Sequence, residues 1–250
     1  MRYDLHIDID YSGAETPEAS LKGLQVYAAE NGAEPARVAP PKQPPNWSRK
    51  EVAEWLVDLG REERRFIAGI DHAFSLPIWF MDEHDLLDWP AFLVHLRRRW
   101  QTHERPLTPA EVAHLHENRE RDLRLTDNWT SSAKSVFEFG IPGQVAPSTF
   151  AGIPWLAHIR EALWDRVHFW PFDGWYVPGD RSVIVEAYPS IFRRRYPAGD
   201  RGPDAQDAYA IARWLRDRDD RGLLGHYFQP PLTEAEAQQA RREGWIVGIT

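Results

Sequence analysis

Hydrophobic and polar residues alternate at the start of the chain. From residue 3 to residue 10 the odd positions are apolar and the even positions are polar, which predicts a half-buried strand ending at Asp10. A turn follows at Ser12-Gly13, and the run Leu24–Ala29 predicts a second strand that pairs with the first as a hairpin. Ala36–Val38 predicts a short third strand, before the stiff proline-rich connector Pro40–Pro45.

Two later strands are predicted to be buried on both faces. Phe66–Ile70 (FIAGI) and Ser182–Ala187 (SVIVEA) are short apolar runs of the kind found in the middle of parallel sheets. Val167–Trp170 predicts a further strand that stops before a proline, and Trp245–Ile249 predicts the last strand.

Helical patterns occupy much of the remaining chain. Ser48 and Glu51 have the spacing of a capping box, at the start of a helix that runs to about Leu59. Thr108 with Glu111 and Thr233 with Glu236 repeat this spacing at two later helix starts. Strands and helices together predict the α/β fold class, a single domain over residues 1–250, and a helical insertion at about 80–165. The other predicted helices are Glu83–Arg99, Thr108–Leu125, Ser148–Arg166 (continuous or broken near Gly152–Pro154), Asp204–Arg218 and Thr233–Arg241.

Composition excludes several kinds of site and partner. Lys and Arg number 30 against 38 Asp and Glu, and the net charge of −8 argues against gripping nucleic acid by bulk charge. An enzyme that cuts nucleic acid stays open, because a metal site adds carboxylates and offsets them with cations. The absence of cysteine excludes disulfides, iron–sulfur clusters and thiolate zinc sites.

Targeting signals and common nucleotide motifs are missing from the sequence. No apolar run approaches the ~20 residues of a membrane span, and the N-terminal segment lacks the apolar stretch of a signal peptide. We therefore expect a cytoplasmic protein with no membrane partner. The sequence contains no Walker loop, GxGxxG or HExxH, which disfavours P-loop, dinucleotide and zincin sites.

Acidic residues stand at three predicted strand ends. Asp10, Asp71 and Glu186 each close or follow an apolar run, and open α/β sheets build their sites at such carboxyl ends. Asp204 and Asp207 add two acids over the edge of the buried face of a predicted helix. Each aspartate has a structural alternative, either as a turn residue or as a helix cap.

Converging carboxylates predict a site for divalent cations. They repel one another in a partly desolvated pocket, and hard ions such as Mg²⁺ or Mn²⁺, which prefer oxygen ligands, relieve that repulsion. Asp8 shares a strand face with Asp10 and is the main competitor in this assignment. Ser12 and His72 are predicted to contact substrate, with an exposed turn histidine as the alternative for His72. The arginine runs 97–99 and 193–195 either reach phosphates or form solvated faces.

Seven short motifs occur in order along the chain: IDYSGA (Ile9–Ala14), GIDHAFSLP (Gly69–Pro77), GIPWL (Gly152–Leu156), WPFDGW (Trp170–Trp175), VEAYP (Val185–Pro189), DAQDAYAIARWL (Asp204–Leu215) and EGWIVGI (Glu243–Ile249). Together they resemble domain of unknown function 429, a bacterial family described as predicted nucleases of ribonuclease H-like fold. The resemblance implies a mixed sheet, with antiparallel hairpin strands beside parallel strands. It also implies that Asp10, Asp71, Glu186 and Asp207 are the family's acidic site residues, with Asp204 either a further ligand or a cap.

The sequence therefore predicts a metal-dependent nuclease or phosphodiesterase. Two ions about 3.5–4 Å apart can activate water and stabilise the leaving oxygen of a phosphodiester. Asp10 and Asp71 would hold the metals, Glu186 would complete one coordination sphere and Asp207 the other. Two alternatives remain: an ATP-using phosphotransfer protein of related fold, and a non-catalytic binding or scaffold module whose acids are structural.

Overall fold

The computed structural model describes residues 3–42, 45–108, 110–111, 122–130, 132–139 and 145–250. The strands in these ranges are β1 (Leu5–Asp10), β2 (Gln25–Glu30), β3 (Ala36–Arg37), β4 (Phe66–Ile70), β5 (Val167–Trp170) and β6 (Ser182–Glu186). They form one mixed sheet in the order β3-β2-β1-β4-β6-β5. β1, β2 and β3 pair antiparallel, whereas β1, β4, β6 and β5 run parallel. The predicted α/β class, hairpin and mixed sheet are confirmed.

Helices cover both faces of this sheet. They are α1 (Arg49–Arg61), α2 (Ile78–Glu83), α3 (Trp89–Arg99), α4 (Leu125–Asn128), α5 (Val145–Leu163), α6 (Pro203–Asp220), α7 (Leu224–Tyr227) and α8 (Glu234–Glu243). α1, α3 and α5 belong to the core on one face, and α6 packs on β1, β2 and β4 from the other. Among the helices in the described ranges, none is long and apolar enough to cross a membrane.

Strand β1 is buried on both faces, so the prediction of a half-buried strand is wrong. Its polar residues His6 and Asp8 are 2% and 0% exposed, because α6 covers the face on which they lie. His6 Nε2 lies 3.0 Å from Asp219 Oδ2, so a partner on α6 replaces water for that side chain. Alternation predicts which residues share a face, but it does not show whether a helix covers the polar face.

The predicted helix Glu83–Arg99 is helical only from Trp89 onward, as α3, because α2 ends at Glu83 and a non-helical segment separates the two helices. Asp85 lies between them with a φ of 52°, a left-handed conformation that interrupts the helical path. Asp88 then caps α3 by accepting a hydrogen bond from the Ala91 amide at 2.8 Å, and Pro90 stands in its first turn. The cap at Asp88 and the proline after it therefore set the start of α3, although the apolar pattern continues upstream.

The predicted helix Thr108–Leu125 is tested only at its ends. Thr108 and Glu111 make the reciprocal hydrogen bonds of a capping box, as their spacing predicted. Residues 112–121 lie outside the described part of the chain. Residues 122–124 are not helical, so the predicted extension to Leu125 is wrong.

Helix α5 is continuous through Pro154. Proline has no amide hydrogen to give the carbonyl four residues earlier, which belongs to Phe150. Thr102 Oγ1 donates to that carbonyl at 2.5 Å and so satisfies it. A residue from outside the helix therefore replaces the missing bond, and the helix does not break at the proline.

The predicted strand Trp245–Ile249 is wrong. Within this segment Ile246 makes a single parallel bridge with Glu186, and the chain turns at Gly248, whose φ is 94°. The Val247 amide donates to the Glu186 carbonyl at 3.0 Å. The apolar segment thus closes the end of β6 and buries its side chains without extending the sheet.

Candidate functional site

One cavity of about 740 Å³ lies beyond the carboxyl ends of the parallel strands. The strand ends of β1, β4 and β6 form its floor, and the first turns of α6 and the start of α5 form its walls. Every residue predicted to form the site lines it: Asp10, Ser12, Asp71, His72, Glu186, Asp204 and Asp207. The structure therefore brings together side chains that are up to 197 positions apart, as Asp10 and Asp207 show.

Asp10 and Asp71 are neighbours at the ends of adjacent parallel strands. The register pairs Ile9 with Ile70, and the Asp71 amide donates to the Ile9 carbonyl at 2.9 Å. Burial raises the pKa of both carboxyls, and the nearby carboxylates raise it further, to about 9 for Asp10 and about 8 for Asp71. No salt bridge joins either side chain to a cation in the described ranges.

Asp207 reaches the same cavity from α6, but a guanidinium already holds it. Arg193 Nε donates to Asp207 Oδ1 at 2.7 Å, and Arg193 Nη2 donates to Asp207 Oδ2. Burial raises the pKa of Asp207, and this ion pair opposes the rise. The same arginine opposes the rise in the pKa of Asp10 and Asp71, so it is a shared counter-charge for the three aspartates.

In the strand register Glu186 is level with Ile9 and Ile70, the residues that precede Asp10 and Asp71. The side chains of Ile9 and Ile70 belong to the core beneath α1. Because successive strand residues point to opposite faces, the Glu186 side chain leaves the sheet on the face opposite to Asp10. It reaches the cavity only because it stands at the end of its strand.

Glu186 has its own partner on that face. Arg124 Nη1 and Nη2 donate to its two oxygens at 2.8 and 2.5 Å, and the Phe74 amide donates to Oε2 at 3.0 Å. Arg124 also donates from Nη2 to Asp127 at 3.0 Å. Arg124 was missed in the sequence because it falls within the predicted helix Thr108–Leu125. No local sequence pattern marks a single arginine that will be buried, because a carboxylate partner such as Glu186 lies far away in the chain.

Asp8 is a second feature that sequence reasoning undervalued. Its carboxyl is wholly buried, and neither oxygen has a hydrogen-bond partner among the described residues. Burial and the charge of Asp71 raise its pKa well above the ordinary value, which disfavours the ionised form of Asp8. Gly69 leaves room for it, since a Cβ there would lie 2.4 Å from Asp8 Oδ1.

His72 is buried, in contrast to the exposed turn histidine that was its alternative. Its Nδ1 lies 2.9 Å from the Ala73 carbonyl, and its ring packs on Tyr11 at 4.7 Å. Burial lowers its pKa to about 4, which keeps the ring neutral. Its Nε2 has no partner among the described residues and faces Gly152 of α5. Its contact with a substrate stays a prediction.

Ser12 and Asp204 stand at the cavity wall with few contacts of their own. Ser12 Oγ accepts a weak hydrogen bond from the Ala14 amide at 3.4 Å, which leaves the hydroxyl available to a ligand. Asp204 is exposed in the first turn of α6, where the helix dipole favours an acid. The substrate role of Ser12 and the ligand role of Asp204 stay predictions.

Two carboxylates of this site are oxygen donors of the kind that a hard divalent cation prefers, and a third is available only when its ion pair opens. The described residues contain no group of three or more His, Cys, Asp or Glu side chains arranged to hold a metal ion. Asp10 and Asp71 offer oxygen donors that no salt bridge occupies in the described ranges, and Arg193 acts on them only from its pair with Asp207. Asp207 can join them when its pair with Arg193 opens, whereas both oxygens of Glu186 are engaged by Arg124.

The chain matches no protein-family model, no curated protein and no solved structure. Membership of domain of unknown function 429, which the seven motifs imply by resemblance, stays a prediction.

Proposed function

We propose that this protein hydrolyses phosphodiester bonds, in nucleic acid or in small nucleotides, with Mg²⁺ or Mn²⁺ as cofactor. One observation carries the proposal: Asp10 and Asp71, at adjacent parallel strand ends, face a cavity of about 740 Å³ without a cation of their own. Burial and, to a lesser extent, mutual repulsion raise the pKa of both carboxyls, and a divalent ion offsets that repulsion. The mixed sheet with its antiparallel hairpin agrees with the architecture that the motif resemblance implies.

The protein's own residues would divide the work as follows. Asp10 and Asp71 would hold the cation, with Asp207 as a third donor once it is released from Arg193. Glu186 would hold Arg124 and so fix the start of α4, the helix that carries Asp127, which is another residue of the cavity wall. A bound divalent cation supplies an activated water and stabilises the leaving oxygen.

Cationic side chains at the cavity suit a phosphate group. Arg193 and Lys134 line it together with the acids. In hydrolysis the oxygen of water bonds to phosphorus and the P–O bond to the leaving alcohol breaks. One proton of the water ends on the alcohol, and the other stays on the new phosphate oxygen or passes to solvent.

Thermal unfolding with and without Mn²⁺ tests the site before any substrate is known. The variants are Asp10→Asn and Asp71→Asn, with Asp220→Asn as control because it is exposed at the far end of α6. At 100 times Kd a cation stabilises the native state by about 2.7 kcal/mol, a rise of roughly 5–10 °C for this size. We expect that rise in wild type and in Asp220→Asn, and its loss in both site variants.

Activity is then measured with Mn²⁺ on single-stranded DNA, RNA, duplex DNA and a chromogenic phosphodiester. Cleavage that needs the cation and is lost in Asp71→Asn supports the proposal. Stabilisation by ATP instead would favour the phosphotransfer alternative. If Mn²⁺ leaves the wild type unchanged and no substrate is cleaved, the proposal fails and the scaffold alternative stands.

A further inference from the structure

The two acid–arginine pairs of the cavity differ in how exposed the arginine is. Arg124 and Glu186 have side chains that are 2% and 4% exposed, and Arg124 is shared with a second carboxylate. Arg193 is 46% exposed, while its partner Asp207 is 9% exposed. Arg124 therefore stays enclosed by its partners, whereas the guanidinium of Arg193 can leave Asp207 for the cavity without breaking the core.

The backbone that carries Arg193 is anchored. Arg193 stands in a short 3-10 turn, and Gln206 of α6 donates to its carbonyl at 3.1 Å and to that of Tyr196 at 2.9 Å. Phe192 is buried and stacks on Trp214 with ring centres 4.3 Å apart. A fixed backbone with a solvated head group lets the side chain change partners while its Cα stays in place.

The guanidinium of Arg193 also lies at the position where a cation would bind. Arg193 sits among Asp207, Asp10 and Asp71, where a divalent cation would also bind. Two cations cannot share one aspartate without repulsion, so binding of the ion would displace the guanidinium from Asp207. A guanidinium matches phosphate through paired hydrogen bonds, and Arg193 lines the same cavity.

We propose that Arg193 is an exchangeable counter-ion: it pairs with Asp207 in the cation-free protein and moves to the phosphate group of the substrate when a divalent cation takes its place. The inference rests on the proposed function, and it makes Arg193 a residue that links cation binding to phosphate binding. The cation-free site would keep its charge balanced, and its phosphate donor would be released only when the cation is present.

The test compares Arg193→Gln with Arg194→Gln, a neighbour in the same turn that does not line the cavity. Mn²⁺ affinity is measured by calorimetry, and binding of inorganic phosphate is measured with and without saturating Mn²⁺. Loss of the competing guanidinium should tighten Mn²⁺ binding about tenfold in Arg193→Gln. It should also weaken phosphate binding to the Mn²⁺-loaded protein about tenfold, while Arg194→Gln matches the wild type.

The outcomes separate this inference from the proposed function. If wild type and Arg193→Gln both fail to bind Mn²⁺, the proposed function falls and this inference falls with it. If wild type binds Mn²⁺ but Arg193→Gln matches it in either affinity, only the exchange is overturned. If Arg193→Gln binds Mn²⁺ and wild type does not, Arg193 blocks the cation site permanently, and the exchange is also overturned. If Arg193→Gln does not fold, Arg193→Lys, which keeps the charge but not the paired geometry, takes its place with weaker phosphate binding expected.

Discussion

Arg124 holds Glu186 through both of its carboxylate oxygens, at 2.8 and 2.5 Å, in a place almost closed to water. The pair joins the end of β6 to the segment that leads into α4. Because Arg124 is buried and donates to both oxygens of Glu186, Glu186 serves the fold whatever else it does in the cavity.

We expect Glu186→Gln to lower the free energy of unfolding by about 1–3 kcal/mol, because the amide nitrogen cannot accept the second hydrogen bond from the buried Arg124, which keeps Asp127 as its only carboxylate partner. Urea unfolding measures the change. Glu161→Gln is the matched control, since Glu161 pairs with Arg97 at 2.6 Å but its side chain is 62% exposed, and the loss there should stay below about 1 kcal/mol. Equal losses in the two variants would contradict the structural role of Glu186.

The pH dependence of stability follows from the raised pKa of Asp10 and Asp71, about 9 and about 8. Between about pH 4 and these values the native state keeps protons that the unfolded chain releases. The free energy of unfolding contributed by these groups is therefore full at low pH and is lost as the pH rises toward 8 and 9.

We expect Asp71→Asn to lose less stability than wild type as the pH rises, because asparagine does not ionise. Measured by urea unfolding with a chelator present, its stability relative to wild type should increase from pH 5 to pH 8. Asp220→Asn should follow the wild type at each pH. A relative stability of Asp71→Asn that does not change with pH would mean that Asp71 ionises normally in the folded protein.

Gly152 is the position where α5 passes His72. A Cβ at residue 152 would lie 2.2 Å from His72 Nε2, so alanine would push the imidazole from its place. We expect Gly152→Ala to destabilise the protein by about 1–3 kcal/mol, although alanine normally favours a helix over glycine. Gly225→Ala in α7 is the control, because no atom lies within 4 Å of its added Cβ. A gain of stability in both variants would show that His72 can move freely.

Local signals in the sequence predicted much of the fold. The capping boxes at Ser48, Thr108 and Thr233 and the apolar run at Phe66–Ile70 depend on neighbours a few residues away, and each is present in the structure. The failed predictions are those in which distant or competing contacts decide. The segment at Trp245–Ile249 has the apolar content of a strand, but it meets the end of β6 at one residue only.

The acids of the site could be predicted, but their partners could not. Asp10 and Asp71 follow apolar runs, and the carboxyl ends of parallel strands meet at one edge of a sheet, so the chain alone indicates that they converge. Their pKa values are raised, and Asp8 is buried, only because α6 packs on the sheet above them. That packing is not visible in the sequence.

What the sequence by itself determined is which residues stand at strand ends and helix starts, because those positions are set by local patterns of side chains. Only the tertiary structure decided the pairing of Glu186 with Arg124 and of Asp207 with Arg193. A strand register shifted by one residue turns a side chain to the other face. A charge pair forms between whichever groups the fold leaves within reach, however far apart they are in the chain.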